Sequence, residues 1–460
     1  MSPNVAANVA PLSLTDMQRF VAQCDPDRPL QAGDPLYVAL DDGTPVRGGD
    51  GTSCIDELER TILFSKPASP TCQLFTGFPG TGKTTELNRL RARFDANKIF
   101  SAHTLVVDFQ EYIDPYVPIS ITDVLRVLAY SFDRAAIVAE SNDPDAQPGY
   151  PRRFFEFLTK TEVDLKEIGF EAYGASLMLE LKNNPTFRHK VESALALRFQ
   201  AFAREATETI AQAVVRLRKA TGAARIVMLV DGLEKLRPVR EEDRPVVENA
   251  VETLFVQHAS WLRVPCDVIY TFPLWLRFRT TPLGALYDRE PYVLPMVKVA
   301  TQDGEDFEPG LAKLCEIVRK RLGDDRVFGP LQGEVPAVLR EVLRTSGGYP
   351  RDLLRMVREI LWTTKVFPAT AADAARILSR IGESYAQAIR SPDAELLAEI
   401  AQTHALPLGD GERLAAFGRL LDQWLILAYR NGHEWYDLHP LTRRAPLVQA
   451  ALARTPPPSK

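Results

Sequence analysis

The sequence has little of what stapled, metal-built or membrane-spanning proteins rely on. Its 460 residues include five cysteines and six histidines. Cys24, Cys54, Cys72, Cys266 and Cys315 are scattered, and no two stand at CxxC or metal-ligand spacing. That excludes a disulfide framework and a zinc module, and reads as reduced thiols in a cytoplasm. Long apolar runs are missing too. The longest are strand-sized, as at 226–230, against the roughly 18 residues a membrane span needs, so no membrane is expected. Met1-Ser2-Pro3-Asn4-Val5 has no basic stretch ahead of an apolar block, so no secretory signal is expected. Positive charge is not in excess: Lys plus Arg is 55, Asp plus Glu is 60, and the net charge is −5. Such a balance argues against a dedicated nucleic-acid binder. Glycine (26) is outnumbered by proline (34), which points to short, stiff connections. What is present is globular, with 45% hydrophobic and 25% charged residues over a length that calls for two or three domains.

Along the chain, residues 1–45 read as an irregular segment, because Pro and Asp interrupt every apolar cluster. Ile55, Leu58, Ile62 and Leu63 then share one helical face. Strand-like runs follow at 72–76, 104–109, 225–230, 267–271 and 292–299, the last weakened by Pro295. Helical patterns at 81–94 and 121–132 alternate with them. This order predicts an α/β fold, with a core over 46–300 built on a mostly parallel five-stranded sheet. About 135–222 is surplus to a minimal βαβ unit and reads as a helical insertion. Within it, 142–152 is an exposed loop and 187–220 one long helix, with Val191, Leu195, Leu197, Phe199, Phe202, Ile210, Val214 and Leu217 as its apolar stripe. An all-α lid follows over 301–388. Helices at 394–403 and 412–423 then precede a hairpin signal, Asn431-Gly432, between β-prone runs. Two helices and a hairpin predict a winged-helix module over 389–450, with a disordered tail over 451–460.

The chemistry is concentrated at Gly77-Phe78-Pro79-Gly80-Thr81-Gly82-Lys83-Thr84, followed by Thr85. This GxxxxGK[ST] pattern stands directly after a strand and before a helix. Its glycines let backbone N–H groups turn inward around a phosphate, and the helix directs its positive end at the same anion. Lys83 would bridge β- and γ-phosphates, and Thr84 would offer a hydroxyl to Mg²⁺. The run Arg225–Asp231 is a buried strand ending in a carboxylate, and Asp231 would hold the same metal. Gly232 occupies the place where a water-activating acid often stands. Glu234 has two readings: a base brought in by a sharp turn at Gly232, or an acid at a helix start.

These residues resemble the AAA+/STAND branch of P-loop ATPases, over roughly 46–445. The resemblance makes 268–273 a sensor strand with Thr271 as its polar tip. Ser346-Gly347-Gly348-Tyr349-Pro350-Arg351 is similar both to the GxP motif of NB-ARC proteins, whose proline packs on adenine, and to the sensor arginine that opens an AAA+ lid helix. Pro350 matches the first and Arg351 the second. His439, in Trp435-Tyr436-Asp437-Leu438-His439-Pro440, looks like the histidine of the Met-His-Asp motif that touches the ADP β-phosphate, although Leu438 and Pro440 depart from it. An intersubunit arginine finger is implied near the fifth strand, at Arg289, with Arg277 and Arg279 competing.

The resemblance implies ATP or ADP with Mg²⁺, slow hydrolysis, and a nucleotide-driven switch or homo-oligomeric assembly. With the helical insertion it is similar to bacterial defence-associated ATPases. Because no output segment is recognisable, a separate effector protein from the same operon, in antiphage defence, is the expected partner. The alternative is a DNA-associated AAA+ ATPase of the transposon target-selection or origin-recognition type, with Arg430, Arg443 and Arg444 on phosphate backbone and Glu434 and Asp437 opposing it. A nucleotide-stabilised scaffold without turnover is the third reading.

Overall fold

The computed structural model describes residues 11–41, 45–48, 53–97, 99–144, 149–160, 175–279, 282–407, 409 and 411–454. In chain order they form α1 (Leu14–Gln23), α2 (Cys54–Phe64), β1 (Cys72–Gly77), α3 (Lys83–Ala96) and β2 (Ala102–Asp108). A helical stretch follows: α4 (Ile121–Ser141), α5 (Gly149–Lys160), α6 (Ala175–Asn183), α7 (Pro185–Leu197) and α8 (Phe199–Thr221). The chain returns to the sheet with β3 (Arg225–Asp231), α9 (Arg244–Glu252), β4 (Asp267–Thr271) and β5 (Tyr292–Leu294). Four helices come next: α10 (Glu308–Leu322), α11 (Ala337–Thr345), α12 (Pro350–Thr363) and α13 (Ala371–Ala388). The C-terminal elements are α14 (Asp393–Thr403), α15 (Gly411–Asp422), β6 (Ile426–Asn431), β7 (His433–Leu438), α16 (Pro440–Arg443) and α17 (Pro446–Arg454).

Two compact units emerge. The sheet unit comprises Cys54–Thr76 and Glu86–Val293. The loop-and-lid unit comprises the N-terminal stretch through Ser53, Gly77–Thr85, and the chain from Leu294 onward.

In the sheet unit the strand order is β2-β3-β4-β1-β5, and the β2–β3, β3–β4 and β1–β4 pairings are all parallel. This is the α/β, mostly parallel five-stranded P-loop architecture the pattern predicts. All seven residues of β3 are buried, as expected of a strand covered on both faces. Parallel register puts the C-terminal ends of β1, β2, β3 and β4 at one edge, where Asp108 pairs level with Asp231 and Phe75 with Thr271. The opposite edge is locked by Arg225, whose Nε and a terminal nitrogen donate to Asp267 at 2.8 and 2.9 Å. The insertion is helical, and its α4 starts in a capping box of Ser120 and Asp123. Asp123 also pairs with Arg126 (3.0 Å) and Arg188 (2.6 Å), all three buried. Asp133 takes Arg216 at 2.9 Å and Arg153 at 3.2 Å. Charges this deep must be paired, so they fix how α4 meets α5, α7 and α8.

Four expectations are corrected. The segment over 1–45 contains α1, started by a capping box of Ser13 and Asp16 whose local hydrogen bonds outweigh the scattered prolines. The helix expected over 187–220 is two helices broken at Arg198 (φ −125°, ψ 26°), so Leu197 of the supposed stripe is exposed. The loop expected over 142–152 gives way to α5 from Gly149, while 145–148 lie outside the described residues. The fifth strand stops at Leu294, because Pro295 has no N–H to give to a ladder.

In the loop-and-lid unit the hairpin forms as its dipeptide predicts, turning at Gly432 (φ +77°), and α17 packs Ala451 against Ala394 and Ala398 of α14. Of the tail expected over 451–460, the first four residues belong to α17, and 455–460 lie outside the described residues. Among the described residues no helix is long and apolar enough to cross a membrane. The four described cysteines are buried and unbridged, and burial pushes the Cys24 and Cys72 thiols up to about 12.

Candidate functional site

Gly77 ends β1, and Lys83 begins α3, so the predicted phosphate loop spans the strand–helix turn. Gly80 (φ +88°) and Gly82 (φ +98°) take the left-handed conformation that the glycine spacing predicts. The Thr81 hydroxyl donates to the Phe78 carbonyl at 2.9 Å and closes the loop on itself. The buried Lys83 ammonium lies inside this turn and donates to the Gly77 and Phe78 carbonyls, each at 3.0 Å. Thr84 is half-buried in the first turn of α3, and the Thr85 hydroxyl accepts the Leu30 N–H at 3.1 Å.

The start of α12 grips the outside of this loop. Tyr349, buried, donates its hydroxyl to the Pro79 carbonyl. Pro350 opens α12 as its first residue, where a missing N–H is harmless. Arg351 lies across the loop so closely that a Cβ on Gly80 would meet its side chain at 2.7 Å. One Arg351 terminal nitrogen pairs with Asp27 at 2.6 Å. Its Nε is buried and has no hydrogen-bond partner among the described residues. Arg47, from the N-terminal stretch, donates to the Thr81 carbonyl at 2.9 Å. Tyr349, Asp27 and Arg47 were not legible in the sequence. Their signal is spatial only, since they lie 34 to 270 residues from the loop atoms they meet or flank.

His439 is elsewhere in the same unit. It is fully buried, caps α16 by accepting the Leu441 N–H on Nδ1 (3.2 Å), and sets Nε2 3.3 Å from an Asp352 carboxylate oxygen. Its ring stacks on Tyr385 at 4.3 Å. Burial alone would raise the Asp352 pKa, but hydrogen bonds from His439 and Tyr385 outweigh it and hold the carboxyl below its usual value.

In the sheet unit, Asp231 is buried at the end of β3. The chain does turn sharply at Gly232 (φ +93°), and the Glu234 carboxylate accepts the Gly232 N–H at 3.1 Å. Asp108 is a further acid at this edge that sequence reasoning missed. It stands level with Asp231, and its carboxylate accepts the Gln110 N–H at 2.9 Å. Thr271 ends β4 with a buried hydroxyl that has no hydrogen-bond partner among the described residues. Of the finger candidates, Arg279 is held by Glu252 (3.0 Å), Asn249 (2.6 Å) and Glu248, while Arg289 is exposed. Arg277 lies against the Phe278 ring at 5.5 Å.

No family model matches the chain, and no curated relative matches it. Solved structures of similar shape include a Walker-type ATPase of Pyrococcus abyssi at 15% identity, covering 90% of this chain and 100% of that one with a TM-score of 0.40. The ORC1 protein of Aeropyrum pernix, solved in complex with DNA, is 14% identical over 95% of this chain and 97% of its own, with a TM-score of 0.34. Cdc6p from Pyrobaculum aerophilum is 12% identical over 86% and 92%, with a TM-score of 0.29. At these identities and scores the likenesses carry no inference about what the chain binds.

A stability prediction arises from the lid turn. A Cβ at Gly348 (φ +74°) would lie 1.6 Å from the Val297 carbonyl oxygen. Gly348→Ala therefore combines about 1–3 kcal/mol of backbone strain with about 1–3 kcal/mol of overpacking. The expected result is a melting temperature lower by many degrees, or loss of soluble protein. An unchanged melt would mean that the turn relaxes freely.

Proposed function

We propose that the chain is a nucleoside-triphosphate-binding P-loop ATPase, slow in turnover, whose lid responds to the nucleotide. The observation that carries this reading is the loop itself. A glycine-turned strand–helix connection buries Lys83, and the orphaned, buried Nε of Arg351 lies against it. A donor buried without an acceptor is costly unless a ligand supplies one, and a phosphate oxygen is the acceptor a guanidinium fits best. The residues present thus fit a nucleotide. Lys83 and the loop amides would hold its phosphates, with Arg351 beside them. Thr84 and Asp231 are the oxygen donors proposed for Mg²⁺, which when bound would neutralise phosphate charge. Thr271, with its own orphaned hydroxyl, is the proposed sensor residue, and Glu234 the proposed base.

The finer parts of the proposal are a nucleotide-dependent switch, a homo-oligomer, and control of a separate effector protein from the same operon in defence. Native mass measurement with ADP, ATP and a nonhydrolysable analogue tests the first two directly. A mass that stays monomeric and a lid equally protected from hydrogen exchange in all three would remove the switch.

The DNA-associated reading is disfavoured by where the arginines sit. Arg443 pairs with Asp437, and Arg444 donates to Glu341 at 2.8 Å, so each already has a carboxylate partner. Duplex DNA is therefore expected to bind weakly, without nucleotide dependence, and to be unaffected by Arg443→Ala plus Arg444→Ala. Binding that needs ATP, falls steeply with salt and is lost in that double variant would reverse the ranking.

A further inference from the structure

The segment Gly347-Gly348-Tyr349-Pro350-Arg351-Asp352 carries lid contacts to the phosphate loop through Tyr349 and Arg351. Its other residues are held by the C-terminal winged-helix module. Tyr429 of β6 donates its hydroxyl to the Gly347 carbonyl at 2.7 Å. A Cβ on Gly347 would meet Leu427 at 2.5 Å and Pro440 at 2.9 Å, so the module packs directly on the turn. Asp352, next to Arg351 in the first turn of α12, accepts the Tyr385 hydroxyl at 2.8 Å and faces His439 Nε2 at 3.3 Å. Nδ1 accepts the Leu441 N–H, so a neutral imidazole carries its proton on Nε2 and donates it toward Asp352. The titratable groups that face Asp352 are His439 and Tyr385, and the charged one is Arg355 at 3.5 Å.

We propose that His439, through Asp352, is the positioning link by which the winged-helix module sets Tyr349 and Arg351 against the phosphate loop. On this view His439 works two side chains away from the nucleotide, and displacing the module loosens the lid's hold on it. The physical basis is the stiffness of a helix start. Pro350 fixes one backbone angle and Asp352 anchors the same turn, so Arg351 between them cannot be re-aimed without disturbing one anchor. A buried carboxylate with few donors also holds each of them strongly. The link rests on the proposed nucleotide site, because Arg351 has something to position only if a phosphate binds there.

The test is nucleotide dissociation measured on the full chain by stopped-flow displacement of a fluorescent ADP and a fluorescent ATP analogue. Asp352→Asn keeps shape but removes the charge that orders His439 and Tyr385. The expected result is a folded protein that releases nucleotide roughly tenfold faster or more, the scale of one charge-assisted hydrogen bond. Tyr385→Phe, a milder change, should shift release in the same direction by less. His439→Ala should resemble Asp352→Asn, and His439→Gln, which retains a donor, should recover part of the loss. In a double-variant cycle with Arg351→Ala, the effects should be less than additive, since both act through one side chain. Additive effects, or a folded Asp352→Asn with unchanged release, overturn the link. Lys83→Ala separates this failure from that of the site: if it leaves nucleotide binding unchanged, the site itself is wrong. If it abolishes binding while Asp352→Asn does nothing, only the link falls.

Discussion

Lys83→Ala is expected to lower ATP affinity by about 10²-fold or more while the protein still folds. The ammonium lies inside the loop, and its charge-assisted hydrogen bonds to phosphate would each contribute about 1.5–3 kcal/mol. It also donates to the Gly77 and Phe78 carbonyls, so the substitution removes two contacts within the loop. The loop's shape does not depend on them alone, because Thr81 closes it and Arg47 and Tyr349 hold it from outside. Lys83→Met, which keeps the buried apolar stem, separates packing from charge. Titration calorimetry with ATP and ADP, run beside a thermal melt, reads both quantities. Unchanged affinity in either variant would mean that the loop is not a phosphate site.

Glu234→Gln and Asp231→Asn together should abolish turnover without abolishing binding. Glu234 accepts the Gly232 N–H, and a glutamine carbonyl accepts the same bond, so the turn at Gly232 survives the exchange. What is lost is the carboxylate's charge and its ability to take a proton. If Glu234 activates water, steady-state phosphate release falls by about 10²-fold or more. Unaltered release would identify it as an acid that serves its turn, and Asp108, level with Asp231 at the same edge, becomes the next acid to replace. Asp231→Asn should remove the Mg²⁺ dependence of turnover and leave ADP binding measurable, since the phosphate cradle is mainly backbone. ADP binding lost together with the fold would instead show Asp231 to be a structural carboxylate.

The geometry of the proposed phosphate loop was legible in the chain because its demands are local. Left-handed φ at Gly80 and Gly82 and a lysine at the first helical position are met within a few residues of sequence. The parallel sheet was legible for a similar reason: runs such as Arg225–Asp231 are too apolar to lie anywhere but between two layers. Capping also acts locally, and the Ser13 and Asp16 pair that starts α1 was present in the sequence but overlooked. The break at Arg198 is different. Apolar residues continue across it, and only packing of α7 and α8 as separate helices leaves Leu197 in solvent.

The same division runs through the site. Residue type and spacing pointed to Lys83, Thr84, Asp231, Thr271, Pro350 and Arg351 as the proposed site residues, because the chemistry proposed for each belongs to a single side chain in a short motif. Partners belong to no motif. That Tyr349 reaches Pro79, that Asp27 takes one arm of Arg351 while its Nε is left buried and unsatisfied, and that His439 faces Asp352 are all consequences of long-range packing. Packing brings together residues up to hundreds of positions apart, and a pairing of that kind leaves no periodicity or spacing along the chain to read.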